Sequence, residues 1–148
     1  MREEGLTEHV RKPGFFDVGY APIDLLHEEF CDLMQALADT ADGDYGGRLL
    51  DLHTHLLRHC AAEERWMRDT SFPAYEEHKH EHDMLLEVIS EVRRRCDSGD
   101  VEIVQRLADE LPNWFDVHGN TMDSALAFHM KSGALLAEDD QRSETVEA

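Results

Sequence analysis

Apolar residues recur every three or four positions in four stretches of this chain, and that period constrains the fold more than any other feature. In the first stretch, which begins at Ile23 and should end before Gly43, residues 23, 26, 30, 33 and 37 are all apolar. Comparable stripes occupy about 48–69 and 74–95 and resume at Val101. No stretch has the two-residue period of a strand. The sequence therefore predicts an all-α fold, an up-down-up-down four-helix bundle with short turns.

Turn-forming residues indicate where the helices should begin and end. Asp100 is a suitable N-cap for the fourth helix, because its carboxylate can accept a backbone N–H of the first turn. Pro112 should kink or interrupt that helix, since proline has no backbone N–H to donate. Gly119 and Asn120 form a stop signal. A short extra C-terminal helix is therefore predicted over about 121–136.

The length of the chain predicts a single domain. A chain of 148 residues suits one compact core rather than two. Residues 1–20 have no apolar period and contain turn-forming residues such as Pro13, so they are predicted to form an N-terminal arm. Residues 138–148 are polar and acidic and are predicted to form a disordered tail. The bundle itself should occupy 21–137.

The charge and the cysteines limit the classes of function. The chain carries 14 basic and 33 acidic residues, for a net charge of -19, whereas nucleic-acid binding needs a basic face. This charge also disfavours anionic membranes, and no apolar run approaches the roughly 18 residues of a membrane span. Three cysteines without a close-spaced pair indicate reduced thiols and a cytoplasmic protein. No helix carries a second apolar stripe, which favours a monomer.

Histidine is the residue type that a bundle alone does not explain. Ten histidines occur, and five of them fall with two carboxylates on the inward faces of the helices. These seven residues are His27, His59, Glu63, His78, His82, His118 and Asp123. A single inward histidine is usually a hydrogen-bonded core residue, but the whole set would be costly to bury unless it bound metal. Imidazole and carboxylate ligands suit iron, zinc or manganese.

The number of ligands also predicts how such a site would react. Two octahedral metals offer about twelve coordination positions. Five histidines, two bridging carboxylates and one bridging oxide or hydroxide would leave a single position open. An open position is typical of a site that takes a small ligand.

The order of these residues resembles the hemerythrin family, and in particular its single-domain bacterial members. The matching motifs are Asp24-x-x-His27, His59-x-x-x-Glu63-Glu64-x-x-Met67, His78-x-x-x-His82, Trp114-Phe115-x-x-His118 and the following Asp123. They extend over roughly 19–136 and include all seven ligand types in the order of that family.

The resemblance implies a non-haem di-iron centre, in which an oxide or hydroxide bridges two iron ions. The iron with all positions filled would bind three histidines, namely His78, His82 and His118. The iron with the open position would bind two histidines, namely His27 and His59. Glu63 and Asp123 would bridge both ions. The implied function is reversible dioxygen binding, for oxygen carriage, storage or delivery, and not catalysis; a protein that accepts the oxygen is not identified by the sequence.

Four further residues are predicted to line the oxygen pocket, or equally to be ordinary core: Phe30, Cys60, Trp114 and Phe115. The family usually has phenylalanine in place of Cys60 and leucine in place of Phe115. One large-to-small and one small-to-large change would roughly conserve the volume of the pocket.

An alternative function is a di-iron enzyme that reduces peroxide, nitric oxide or dioxygen, and a weaker one is iron handling or oxygen sensing. Oxygen-activating bundles usually use more carboxylates in Glu-x-x-His pairs, and no such inward pair can be placed in this sequence. Cys60 favours the enzyme slightly, because a thiol near the metals can supply electrons.

The other five histidines are expected on the surface or in the termini, namely His9, His53, His55, His80 and His129. The alternative for His55 is a hydrogen bond to His59, which lies one helical turn further on. Glu64, Glu77 and Glu81 are expected to be solvated.

Overall fold

Most of the chain is helical in the part that the computed structural model describes, residues 17–41 and 43–133. The four α-helices are α1 (Ala21–Ala38), α2 (Tyr45–Asp69), α3 (Tyr75–Asp97) and α4 (Val101–His118). α4 leads without a break into a π-helical segment, Gly119–Asp123, and then into a C-terminal extension, residues 124–133. No strand occurs in the described residues, so the predicted all-α class is confirmed.

Two aspartates organise the first turns of their helices. Asp24, in the first turn of α1, accepts the backbone N–H groups of Val18 and Gly19 at 2.8 and 3.2 Å. Asp100 accepts the N–H of Ile103 at 3.2 Å, as predicted for the N-cap of α4. Both contacts satisfy backbone donors that would otherwise have no partner within the helix or the turn.

The helices pack in chain order, with α4 closing back onto α1. α1 contacts α2, α2 contacts α3, α3 contacts α4, and α4 contacts α1. Pro112 lies inside α4 and does not interrupt it. None of the helices in the described residues is long and apolar enough to cross a membrane. The predicted arm falls mostly outside the described residues and the predicted tail entirely, so both remain predictions.

The predicted break at Gly119 and Asn120 is wrong, because the chain stays helical through both residues. The backbone changes there from α to π geometry. Residues five apart point about 140° away from each other in an α-helix, whereas the i→i+5 hydrogen bonds of a π turn bring them to one side. His118 and Asp123 are five apart and both are buried. The predicted extra C-terminal helix therefore exists as an extension of α4 and not as a separate helix.

α2 begins at Tyr45, earlier than the apolar stripe predicted, and includes two glycines in its first turn. Glycine disfavours the helix interior by about 1 kcal/mol relative to alanine. Tyr45 packs in the apolar core, and this burial outweighs the cost of the glycines.

Buried apolar residues form two separate clusters along the bundle. The main core involves all four helices and includes Phe30, Leu56, Leu85 and Phe115. The small core contains Ile23, Met67, Phe72, Leu126 and Ala127. On α2, for example, His59 and Glu63 lie between Leu56 of the main core and Met67 of the small core. A polar layer therefore crosses the bundle between the two clusters.

Candidate metal centre

The polar layer consists of the seven residues that the sequence analysis selected, and all of them are buried. They are His27, His59, Glu63, His78, His82, His118 and Asp123. Their ligand atoms form two groups, and within each group these atoms lie within 4.8 Å of one another. Either group has the residue types and the spacing to hold a metal ion.

The three-histidine group contains Glu63, His78, His82, His118 and Asp123. Glu63 Oε1 lies 3.3 Å from His78 Nε2 and 3.1 Å from His82 Nε2. Asp123 Oδ1 lies 3.0 Å from His78 Nε2 and 3.1 Å from His118 Nε2. Three imidazole nitrogens and one oxygen from each carboxylate thus converge on one point.

The two-histidine group contains His27, His59, Glu63 and Asp123. His59 Nε2 lies 3.0 Å from Glu63 Oε2, and His27 Nε2 lies 2.8 Å from Asp123 Oδ2. These are the second oxygens of the same two carboxylates. Each carboxylate therefore directs one oxygen to each group, which is the arrangement of a bridging ligand.

Helical spacing explains how the side chains reach these positions. His59 and Glu63 are one turn apart on α2, and His78 and His82 are one turn apart on α3. The π segment does the same for His118 and Asp123 across a spacing of five residues.

Both carboxylates are held in their charged form. Burial by itself would raise the pKa of Glu63, but the charge and the hydrogen bond of His59 outweigh burial and hold that pKa well below its usual range. Burial and the charge of Glu63 would likewise raise the pKa of Asp123, but close contacts with three histidines, His118 first among them, lower it.

The same contacts favour protonated histidines in the metal-free protein. Burial lowers the pKa of His78, but close contacts with the carboxylates of Asp123 and Glu63 outweigh it and raise the pKa above its usual range. Burial also acts against protonation of His82, but close contacts with Cys60 and with the carboxylate of Glu63 raise its pKa to about 12. A metal ion would therefore have to displace protons from this group.

A cation fits the polar layer because several buried atoms lack a hydrogen bond of good geometry. They are Glu63 Oε1, Asp123 Oδ1 and His78 Nε2, although charged or polar atoms face each of them at 3.0–3.3 Å. Buried polar atoms in this condition are costly. Coordination to a cation would remove the cost, and the mixture of imidazole and carboxylate suits iron, zinc or manganese.

Two glutamates that were expected to be solvated contact the outer nitrogens of the three-histidine group. Glu64 Oε2 lies 2.9 Å from His82 Nδ1, and Glu81 Oε1 lies 2.8 Å from His118 Nδ1. Their side chains are 15% and 38% exposed. The expectation of solvated side chains is therefore wrong for Glu64 and only partly right for Glu81. The sequence contains one signal for these contacts. Glu64 follows Glu63 and Glu81 precedes His82, and the neighbour of an inward-facing residue lies at the edge of the buried helix face.

His55 is also buried, so its expected surface position is wrong and the alternative, a contact with His59, is confirmed. His55 Nε2 lies 3.1 Å from His59 Nδ1. His53 is half-buried against Arg93, His80 is exposed, and His129 is half-buried against Thr70. His9 lies outside the described residues.

A small cavity adjoins the polar layer on the side of the main core. The structure places at its wall all four residues predicted to line a pocket, Phe30, Cys60, Trp114 and Phe115. Two leucines and four residues of the polar layer complete the wall: Leu56, Leu85, His59, His82, His118 and Asp123. The space open to the centre of a water-sized molecule is about 10 Å³, which is room for one small molecule.

Aromatic rings shape this cavity. Phe115 meets His27 and Phe30 edge-on, with ring centroids 4.7 and 4.9 Å apart. Trp114 stacks on His118 with centroids 4.6 Å apart. Burial raises the pKa of the Cys60 thiol, so Cys60 is a neutral thiol near pH 7.

Comparisons with known proteins agree with the geometry. Residues 18–127 match the family described as hemerythrin HHE cation binding domain. The chain is 40% identical over 106 residues to a protein named bacteriohemerythrin from Ralstonia nicotianae, covering 72% of this chain and 77% of that protein. It is 34% identical over 116 residues to the bacteriohemerythrin of Aquifex aeolicus, covering 74% of this chain and 88% of the relative. No solved structure matches the chain. The chain therefore belongs to the hemerythrin family of cation-binding domains.

Proposed function

We propose that this chain binds two iron ions in the polar layer and binds dioxygen reversibly beside them, as a protein of oxygen carriage, storage or delivery. The observation that carries the proposal is the pair of shared carboxylates. Glu63 and Asp123 each present one oxygen to the three-histidine group and the other to the two-histidine group. Two cations held by the same carboxylates account for this arrangement, whereas a single ion would leave one group unused.

The two groups differ in how many ligands they offer. The three-histidine group would hold its ion with His78, His82, His118 and the two carboxylates. The two-histidine group has one imidazole fewer, so its ion would keep a position for an external ligand. Iron, when bound, supplies the electrons that dioxygen accepts on binding and returns on release.

The walls of the cavity suit a small apolar ligand. Phe30, Leu56 and Phe115 present apolar surface, and the space admits about one water-sized molecule. Walls of this kind exclude water and withhold protons from a bound ligand, which favours release of the ligand unchanged. Among the described residues, Asp123 is the only carboxylate that lines the cavity, and the proposal assigns it to the metal ions.

The test is metal content combined with optical spectra. Protein loaded with ferrous iron without oxygen should contain two irons per chain, gain a visible absorption band in air and lose it under argon, over repeated cycles. Protein loaded with zinc is the matched control and should stay colourless. Iron binding followed by a single irreversible oxidation, without a band that reverses, would contradict oxygen carriage.

One observation favours the alternative of a reducing di-iron enzyme. The Cys60 thiol lies in the cavity wall and interacts with His82, so a source of electrons adjoins the layer. The raised pKa of this thiol opposes that role, because the thiolate is the reactive form. Sustained consumption of hydrogen peroxide by iron-loaded protein with a reductant, lost in Cys60→Ala, would favour the enzyme over the carrier.

A further inference from the structure

His55 is a buried histidine that lies outside both candidate ligand groups. It is located on α2, one turn before His59, and only 1% of its surface is exposed. Its Nε2 lies 3.1 Å from His59 Nδ1, and its Nδ1 lies 3.3 Å from Oε1 of Glu29 on α1. The ring of Phe30 stacks on it, with 16° between the planes. Nε2 of His55 therefore faces His59, whereas Nδ1 faces the Glu29 carboxylate without a hydrogen bond of good geometry. A backbone hydrogen bond with Leu26 on α1 and the packing of Phe30 also hold the ring.

Metal binding by His59 would determine which ring nitrogens of His59 and His55 carry a proton. If His59 binds metal through Nε2, its Nδ1 carries the proton and donates to Nε2 of His55. His55 then carries its own proton on Nδ1, which faces the carboxylate of Glu29. This arrangement gives the Nδ1–H of His59 an acceptor and directs the Nδ1–H of His55 towards the Glu29 carboxylate at 3.3 Å. The opposite tautomer of His55 would direct an N–H at the N–H of His59 and a lone pair at a carboxylate.

We propose that His55 is a positioning residue, which holds His59 in the tautomer and orientation that bind metal through Nε2, and that its contact with Glu29 on α1 helps to orient His55. The inference rests on the proposed two-metal function. In the three-histidine group, the carboxylates of Glu64 and Glu81 contact the outer nitrogens of two histidines. In the two-histidine group, the neutral ring of His55 would play that part for His59.

The test uses cobalt(II) added to the metal-free full chain without oxygen, since its absorption bands report coordination number and no oxygen chemistry is involved. Wild type should bind two ions in distinguishable steps. In His55→Leu the weaker step should lose about 10–100-fold in affinity while the tighter step is unchanged. His55→Gln should recover most of the loss, because its amide oxygen can accept the proton of His59. Glu29→Gln should show a smaller loss of the same step.

His53→Gln is the matched control, because His53 lies on the same helix and contacts Arg93 instead of a ligand. It should bind both ions as wild type does. If His55→Leu does not fold, as judged by its helical circular dichroism, His55→Asn replaces it, since the shorter amide does not reach His59.

Each result decides a different question. Unchanged affinity for both ions in His55→Leu would overturn the role of His55 and leave the two-metal proposal standing. An equal loss in His55→Leu and His55→Gln would also overturn it, because ring shape and not the hydrogen bond would then matter. Binding of only one cobalt ion by wild type would overturn both this inference and the proposed function.

Discussion

The two ligand groups share their carboxylates but differ in what supports their histidines. In the three-histidine group, carboxylates of Glu64 and Glu81 contact the outer nitrogens of two histidines. In the two-histidine group, the neutral ring of His55 contacts His59. An anionic partner makes an imidazole a more basic ligand than a neutral partner does. Under the proposal of two bound ions, this difference predicts tighter retention of the ion in the three-histidine group than of the ion in the two-histidine group.

The largest effect on metal binding is expected from removal of a carboxylate that both groups share, because both groups should then fail to hold their ions. Glu63→Gln removes a negative charge that both groups share and replaces one of the two bridging oxygens with an amide NH2, which does not bind metal. Both ions should be lost, with affinity falling by more than the roughly 100-fold typical of an outer contact. Metal analysis and calorimetry with zinc measure the loss.

Glu64→Gln is the control for that substitution, since Glu64 is adjacent in sequence and contacts only the outer nitrogen of His82. It should retain two ions with weaker binding. Retention of two tightly bound ions by Glu63→Gln would show that the carboxylate does not bridge the groups.

The stability of the metal-free protein and the metal affinity of the three-histidine group should change with pH in opposite directions. In the metal-free protein the pKa values of His78 and His82 lie above the unfolded value of about 6.5. Their protonated forms therefore stabilise the metal-free fold below about pH 6.5, and this contribution is lost as pH rises toward the folded pKa values. Metal affinity should change in the opposite sense and increase with pH, by up to about tenfold per pH unit for each proton released.

Calorimetry of zinc binding in buffers of different ionisation enthalpy counts the released protons, and thermal unfolding of the metal-free protein between pH 6 and pH 9 tests the stability. The lowered pKa values of Glu63 and Asp123 add no titration in this range. Zinc binding without proton release at pH 7 would contradict the assignment of charged histidines.

The smallest effect on metal binding is expected at Glu81, which contacts the outer nitrogen of His118. Glu81→Gln replaces a carboxylate that is 38% exposed with a neutral amide that can still accept the proton of His118. The three-histidine group should bind its ion about tenfold more weakly, at the low end for outer partners, because the hydrogen bond survives and only the charge is lost. Competition with a zinc chelator measures this change, and Glu77→Gln, on the same helix and solvent-exposed, serves as the control. An equal decrease in both variants would mean that net charge and not the contact is responsible.

The spacing of residues along the sequence was sufficient to predict much of the fold and the members of the polar layer. The three-to-four spacing of apolar residues predicted four helices, because each helix must bury one stripe. The spacing of four between His59 and Glu63, and between His78 and His82, predicted that each pair shares a face. These four residues are buried together with the other three that were selected from the sequence, His27, His118 and Asp123.

Other features could not be predicted because they depend on contacts between helices. Gly119 and Asn120 have the local preferences of a helix end, yet packing of the extension against the bundle keeps them helical in π form. His55, Glu64 and Glu81 lie at the edges of the apolar faces, where only the position of the next helix decides between water and a histidine ring.

The sequence by itself determined the class of fold and the set of ligand types, since both follow from periodicity and residue chemistry within single helices. Only the tertiary structure decided how two carboxylates divide their four oxygens between two groups, and which outer residue supports each imidazole. These features depend on contacts of about 3 Å between side-chain atoms of different helices, a precision that helical periods do not contain.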